Sequence, residues 1–559
     1  MSRICAGAAW AALLLLSLGA GLVEGAARAV PLIEAVKAVD VPTVRTLLQQ
    51  PGDVNVTTED GTTALHWAVF RDNLPLTELL IRSKANVKAA NRYGATPLSM
   101  ACVNGNPEII DRLVTAGADV NATSAAGETA LMTAARTGKA DAVAVLLRRG
   151  ANVNARESAN GQTALMWAAG RNNAGVVKAL LEAGADYTIE AKGNQAVPPM
   201  SIALEKGSSP LDYSFSKFKA PTAPVFTAFD YAVRQGHIES VKVLLDAGYA
   251  VNRELVDGST ALLRALINNH YELASVLVDR GADVRASKPG WTPLHQVAVN
   301  RRPNVIGNGT PWATPTGTLN SLDLIRKLVA KGADVNARMT NDLITGSRTQ
   351  FSRVGAPPLL LSAKTCDVPA MRLLVELGAD PNLKSDNDDT ALMLASGVKI
   401  WAPGEDPGTD EECFEAAKYA VELGNDVLAT NSNGDMAVHG AALRGIIPLM
   451  DYLISKGARI DKEGATNDDN WTPYTIAKGV FYANHVETQP AMADHLIKLL
   501  AERGITDLTA YEPDLSTYDC GVYCSTRTPA QQKVLREKRA AREAAARAAR
   551  DAAQKKGDK

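Results

Sequence analysis

GTTALHWAVFRDNLPLTELLIRSKANV, residues 61–87, holds two short apolar runs separated by a polar turn. Thirty-three residues on, Gly94 opens GATPLSMACVNGNPEIIDRLVTAGADVNA, and after the same interval Gly127 opens GETALMTAARTGKADAVAVLLRRGANVNA. Gly161 then opens GQTALMWAAGRNNAGVVKALLEAGAD. Further copies begin near Pro224 and at Gly258, Gly290, Gly355, Asp388, Gly434 and Asn470, and a degenerate leading copy runs from about Val30 to Thr57. The count is about twelve helical pairs. Such a period predicts a stacked array, because one copy cannot bury its apolar face alone.

Each slot of the repeat has a physical reading. Thr63, Thr96, Thr129, Thr163, Thr227, Thr260, Thr292, Thr390 and Thr472 precede apolar runs, where a hydroxyl caps free helix amides. Pro97, Pro293 and Pro473 follow at the first helical position, which tolerates proline. A second helix carries apolar pairs such as Leu146-Leu147 and Leu373-Leu374, and glycines such as Gly117, Gly150 and Gly332 end it. Lys84 replaces that glycine in one copy, Pro357 and Met436 replace the capping threonine, and Cys366 stands where Gly105 stands in its own copy. These departures predict local weakening within an unchanged fold.

Thr292-Pro293-Leu294-His295 and Gly332-Ala333-Asp334-Val335-Asn336 resemble the two hallmark motifs of ankyrin repeats, and the resemblance covers roughly 30–507. It implies an all-α ankyrin-repeat solenoid, with antiparallel helix pairs and projecting β-turn fingers. It further implies hydrogen bonds between neighbouring repeats for His66, His295 and His439, and for His237 and His270. Binding is expected through the fingers and the exposed ends of the inner helices on the concave face.

In that slot stand Phe70-Arg71, Val103-Asn104, Arg136-Thr137, Gly170-Arg171, Arg234-Gln235, Ile267-Asn268, Val299-Asn300, Lys364-Thr365, Gly397-Val398, Leu443-Arg444 and Gly479-Val480. Arg71, Arg136, Arg171, Arg234, Lys364 and Arg444 are basic and no member is acidic, which predicts a positive groove for an acidic protein partner. Insertions near 188–223 and 338–355 lengthen fingers. Those near 300–318, 397–411 and 479–491 fall between the two helices of a copy, in every second copy from Gly290. With helices 8–10 Å apart, these three loops are expected on one edge at roughly 20 Å intervals, as a composite binding edge carrying Trp312, Trp401, Phe481 and Tyr482.

The ends of the chain read differently. Arg3, the apolar run Ala8 to Leu18 and small residues near Gly25 to Ala27 predict a cleaved signal over 1–27 and an exported, periplasmic or secreted protein. No later segment approaches roughly 20 apolar residues, so no transmembrane segment is expected after cleavage. Residues 508–528 read as a connector, and 529–559 as a basic, Ala-rich helical tail. After cleavage five scattered cysteines remain, which is no disulfide framework; only the CGVYC spacing of Cys520 and Cys524 admits a local bridge.

With 59 basic and 61 acidic residues there is no long-range reason to bind nucleic acid. No GxSxG elbow, Walker A loop or HExxH helix occurs, and no catalytic residue, metal or cofactor is expected. The sequence thus reads as a non-catalytic protein-binding scaffold. The alternative is a binder of anionic polymer or envelope surface through the basic groove and tail.

Overall fold

The computed structural model describes residues 31–192, 225–255, 258–302, 317–341, 351–400, 403, 407–480, 482 and 487–512. The predicted signal, most of the insertion at 188–223, Trp312, Trp401, Phe481, Cys520, Cys524 and the basic tail lie outside these residues. Among the described residues are twenty-four α-helices and one two-stranded sheet, so the chain is all-α. The helices come in pairs, from Pro31–Lys37 with Val41–Gln49 to Pro473–Gly479 with Pro490–Glu502. The chain divides into two compact units, Met1–Ser158 and Ala159–Lys559.

The repeat slots act as their chemistry dictates. Thr63 is extended, with φ −94°, and its hydroxyl accepts from the backbone N–H of His66, which starts helix Ala64–Phe70. Thr129, Thr227, Thr292 and Thr472 cap their helices in the same way. The histidine of this motif works in both directions. The backbone N–H of Thr63 donates to His66 Nδ1 at 3.2 Å, so Nε2 carries the proton and donates to the Ala95 carbonyl of the next repeat at 3.0 Å. His295 reaches the Ala356 carbonyl at 3.1 Å and His439 the Ala465 carbonyl at 3.2 Å. His237 and His270 bond the Ala169 and Arg234 carbonyls, each at 3.0 Å.

The asparagine that closes the repeat motif staples neighbours together. Asn121 donates to the Gly150 carbonyl at 3.1 Å and accepts from the Asn152 N–H at 2.7 Å. Asn252 and Asn336 repeat this pair of bonds on later copies. Second helices bury a stripe, such as Ile109, Ile110 and Leu113 in Pro107–Thr115. Each such side chain contributes roughly 1.5–3 kcal/mol by leaving water. Lys84 and Cys366 adopt left-handed φ values of 65° and 53°, so they fill glycine slots at the cost of backbone strain.

One reading is corrected. Cys366 and Cys413 form a disulfide across 47 residues, and Cys102 is a buried free thiol. The pair was hidden because it joins a helix end in one repeat to the second helix of the next, a proximity that only the stacking creates. Around the long insertion at 188–223, Ala191 pairs with Phe226 and Lys192 with Val225 in a short antiparallel sheet. At the far end, Thr475 donates to the Tyr511 carbonyl at 3.1 Å and the Tyr511 hydroxyl accepts from the Lys462 N–H at 3.0 Å. The 3-10 turn Thr509–Tyr511 thereby covers the last described pair.

Candidate binding surface on the first-helix face

A first helix presents to one side the residue four places after its cap and the pair one turn further on, by helical spacing. In the N-terminal unit these positions hold Trp67 with Phe70-Arg71, Met100 with Val103-Asn104 and Thr133 with Arg136-Thr137. Arg71 and Thr137 are exposed, Trp67, Phe70 and Arg136 half-buried, and Val103 is 53% exposed. Trp67 meets Phe70 edge to face at 5.6 Å, and the Lys37 ammonium stands 4.8 Å from the Trp67 ring centroid, within reach of its π face. Asn104 holds the column in register by donating to the Val69 carbonyl at 2.7 Å. On the neighbouring finger Arg92 stacks on the exposed Tyr93 ring.

The second unit starts with the same composition. Trp167 with Gly170-Arg171, Tyr231 with Arg234-Gln235 and Arg264 with Ile267-Asn268 occupy the column. Arg171, Arg234 and Gln235 are exposed, as is Ile267, while Trp167, Tyr231 and Arg264 are half-buried. Gln162 joins two of the rings, accepting from Trp167 Nε1 at 3.0 Å and donating to the Tyr231 hydroxyl at 2.7 Å. Aromatic and arginine side chains with partial exposure are the types that dominate binding energy at protein interfaces.

From Pro293 onward the column closes. Val299, Asn300, Gly397, Val398, Leu443 and Val480 are buried. Lys364 and Arg444, expected in an open basic groove, are only 6% and 8% exposed, so they do not extend such a groove. The Arg444 side chain packs against Gly397, where the insertion of the preceding repeat begins. Of the six basic candidates, Arg71, Arg171 and Arg234 are exposed and Arg136 partly so; Trp312 and Trp401 lie outside the described residues. Tyr482 packs edge to face on Trp471, with ring centroids 6.1 Å apart. Trp67, Trp167 and Tyr231 were missed, although their signal was present in sequence as one aromatic position four residues past the capping threonine.

The closed part holds buried charge. Asp389 accepts from Ser385 Oγ at 2.9 Å and Asn431 Nδ2 at 2.8 Å, and Asp435 accepts from Asn467 Nδ2 at 2.9 Å. Lys399 Nζ lies 3.5 Å from Asp435. Burial raises the Asp389 pKa; it opposes ionisation of Asp435 too, but Lys399, His439 and the Asn467 bond outweigh it and hold that carboxyl below the usual range. Burial and the adjacent Asp435 push the Tyr482 phenol well up. These groups are tied to one another, which suits fixing the fingers. Among the described residues no group of three or more His, Cys, Asp or Glu is placed to hold a metal ion, and no helix is long and apolar enough to cross a membrane.

A family model described as ankyrin repeats in three copies matches residues 32–124, 105–191 and 227–307. The chain is 35% identical over 83 residues to the Notch-regulated ankyrin repeat-containing protein of Homo sapiens, covering 73% of that protein and 14% of this chain. The chain belongs to the ankyrin-repeat family. It is also similar to the B-cell lymphoma 3 protein homolog of Mus musculus, 31% identical over 180 residues, which is 31% of this chain and 33% of the relative. The E3 ubiquitin-protein ligase XBAT32 of Arabidopsis thaliana matches at 31% over 198 residues, 34% of this chain and 37% of the relative. The chain thus spans about a third of the length of these two longer relatives. Ankyrin repeats generally mediate protein–protein interaction.

Proposed function

We propose that the protein is an exported, non-catalytic scaffold that binds acidic polypeptide through the first-helix face and fingers of its N-terminal unit and, separately, through those of the second unit before Pro293. The carrying observation is a contrast between equivalent positions: Arg71 and Val103 in the first unit and Arg171, Arg234 and Ile267 in the second are exposed, whereas Val299, Asn300, Lys364, Val398, Leu443, Arg444 and Val480 are buried. Exposed arginines beside half-buried aromatic rings favour a partner that offers carboxylates and an apolar side chain. Export is supported by the leader-like first 27 residues and by Cys366–Cys413, since structural disulfides persist in oxidising compartments. A fluorescence-localised fusion tests that placement: signal outside the cytoplasm agrees with it, and a wholly cytoplasmic full-length protein contradicts it.

The binding reading is tested by capture on the full chain with Arg71→Glu and Val103→Asp. Losing the aliphatic contact and reversing the charge is expected to weaken capture at least roughly tenfold, since each hot-spot change costs about 1–2 kcal/mol. Raising salt should weaken what remains, through slower association. Equal capture by the variants and the native chain would place the contact elsewhere.

A further inference from the structure

The buried end of the column raises the question of what lies on it. Gly440 stands four residues after its cap, the position that Trp67, Trp167 and Tyr231 fill in earlier repeats. A Cβ at Gly440 would fall 2.5 Å from the Val398 nitrogen and 2.8 Å from the Ser396 carbonyl oxygen. The chain leaving helix Ala391–Ser396 therefore rests directly on helix Ala437–Arg444 of the next repeat, where other repeats keep a large side chain. Val398 and Ile400 are fully buried there, and the Arg444 side chain packs against Gly397. Lys399, with φ 63°, reaches Asp435 at 3.5 Å.

The far side of this insertion is fastened by different means. Gly408 packs against both sulfur-bearing residues of the Cys366–Cys413 bond. Thr409 caps helix Asp410–Glu422, which carries Cys413 and Glu412. Glu412 accepts two bonds from Arg302, at 2.7 and 2.8 Å, and Arg302 also reaches the Cys366 carbonyl at 3.3 Å. A covalent bond and an ion pair thus converge where the insertion returns to the stack.

We propose that residues 397–400 are an intramolecular cover over the first helix Ala437–Arg444 of the next repeat, and that the Cys366–Cys413 bond is the clip that keeps it seated. The occupant of this part of the face is the chain's own segment, so an external partner does not reach helix Ala437–Arg444 there. The clip is set by oxidation. The two thiols give up two protons and two electrons to a small disulfide, such as oxidised glutathione, which leaves as two thiols; a dithiol reverses the exchange. The claim concerns the chain alone and stands whether or not the proposed partner of the earlier repeats is found.

Hydrogen exchange on the full chain tests it, with Val398 as reporter because its N–H is bonded to the Met393 carbonyl at 3.0 Å. Two variants are compared with the native chain: the paired change Cys366→Ser with Cys413→Ser, and Gly440→Ala, which crowds the cover while leaving the bond intact. Both are expected to speed exchange at 397–400 at least roughly tenfold while residues 64–148 keep native rates. Native exchange at 397–400 in the paired serine variant overturns the proposal. It is equally overturned if that variant exchanges fast throughout 358–502 while Gly440→Ala leaves 397–400 protected, because the bond would then hold the core and not a cover.

Discussion

His295 shows how one side chain joins two repeats and makes stability depend on pH. It is fully buried, takes a hydrogen bond on Nδ1 from the Thr292 N–H and gives one from Nε2 to the Ala356 carbonyl. Burial lowers its pKa to about 4, so the folded protein holds it neutral down to that value while the unfolded chain protonates near 6.5. Between those values the unfolded state binds more protons, so stability is complete above 6.5 and falls as pH drops towards 4. His66 and His439 shift in the same direction for the same cause. Urea denaturation midpoints at pH 7.5 and 5.0 should therefore differ, and His295→Gln should shrink the difference by on the order of 1–2 kcal/mol. An unchanged pH dependence in that variant would mean His295 is not held neutral. The capping hydroxyl is simpler: Thr292→Ala should cost about 1 kcal/mol, read as a lower denaturation midpoint at any pH.

Elements are joined by contacts that the repeat motif does not contain. Arg301, at the end of helix Pro293–Arg301, makes two bonds to Asp367, at 2.6 and 3.0 Å, and the Asp367 side chain is 1% exposed. Arg301→Met would leave that carboxylate buried without its cation, so a loss of about 3 kcal/mol is expected in urea unfolding. A loss under about 0.5 kcal/mol would show the pair to be solvated like a surface bridge. This contrast marks what sequence could and could not reveal. The threonine caps, first-turn prolines, histidine bonds and helix-ending glycines are local, so their period and residue types were enough. Cys366–Cys413, Arg302–Glu412 and the seat of Val398 on Gly440 are long-range, and insertions set them. No period encodes where an inserted segment comes to rest. For that reason Arg444 reads as a groove residue although the start of the preceding repeat's insertion, at Gly397, packs on its side chain; Lys364 is buried as well, while Arg71, Arg171 and Arg234 are exposed.

At the scale of the molecule, repetition supplies the same first-helix positions in each unit and departures from repetition decide which of them stay open. Repeats before Pro293 leave rings, arginines and aliphatic side chains in partial contact with water, later repeats bury the equivalent positions, and at helix Ala437–Arg444 the chain's own residues 397–400 lie on them. Binding is therefore expected to follow the open column and to ignore the outer helices. The most direct measurement compares affinity for the captured partner among the full native chain, the Arg71→Glu/Val103→Asp variant and Arg148→Glu, a reversal on the exposed side of the second helix Ala140–Arg148. Affinity should fall at least roughly tenfold in the first variant and stay within about twofold in the second. Loss in Arg148→Glu with native affinity in the column variant would contradict the account.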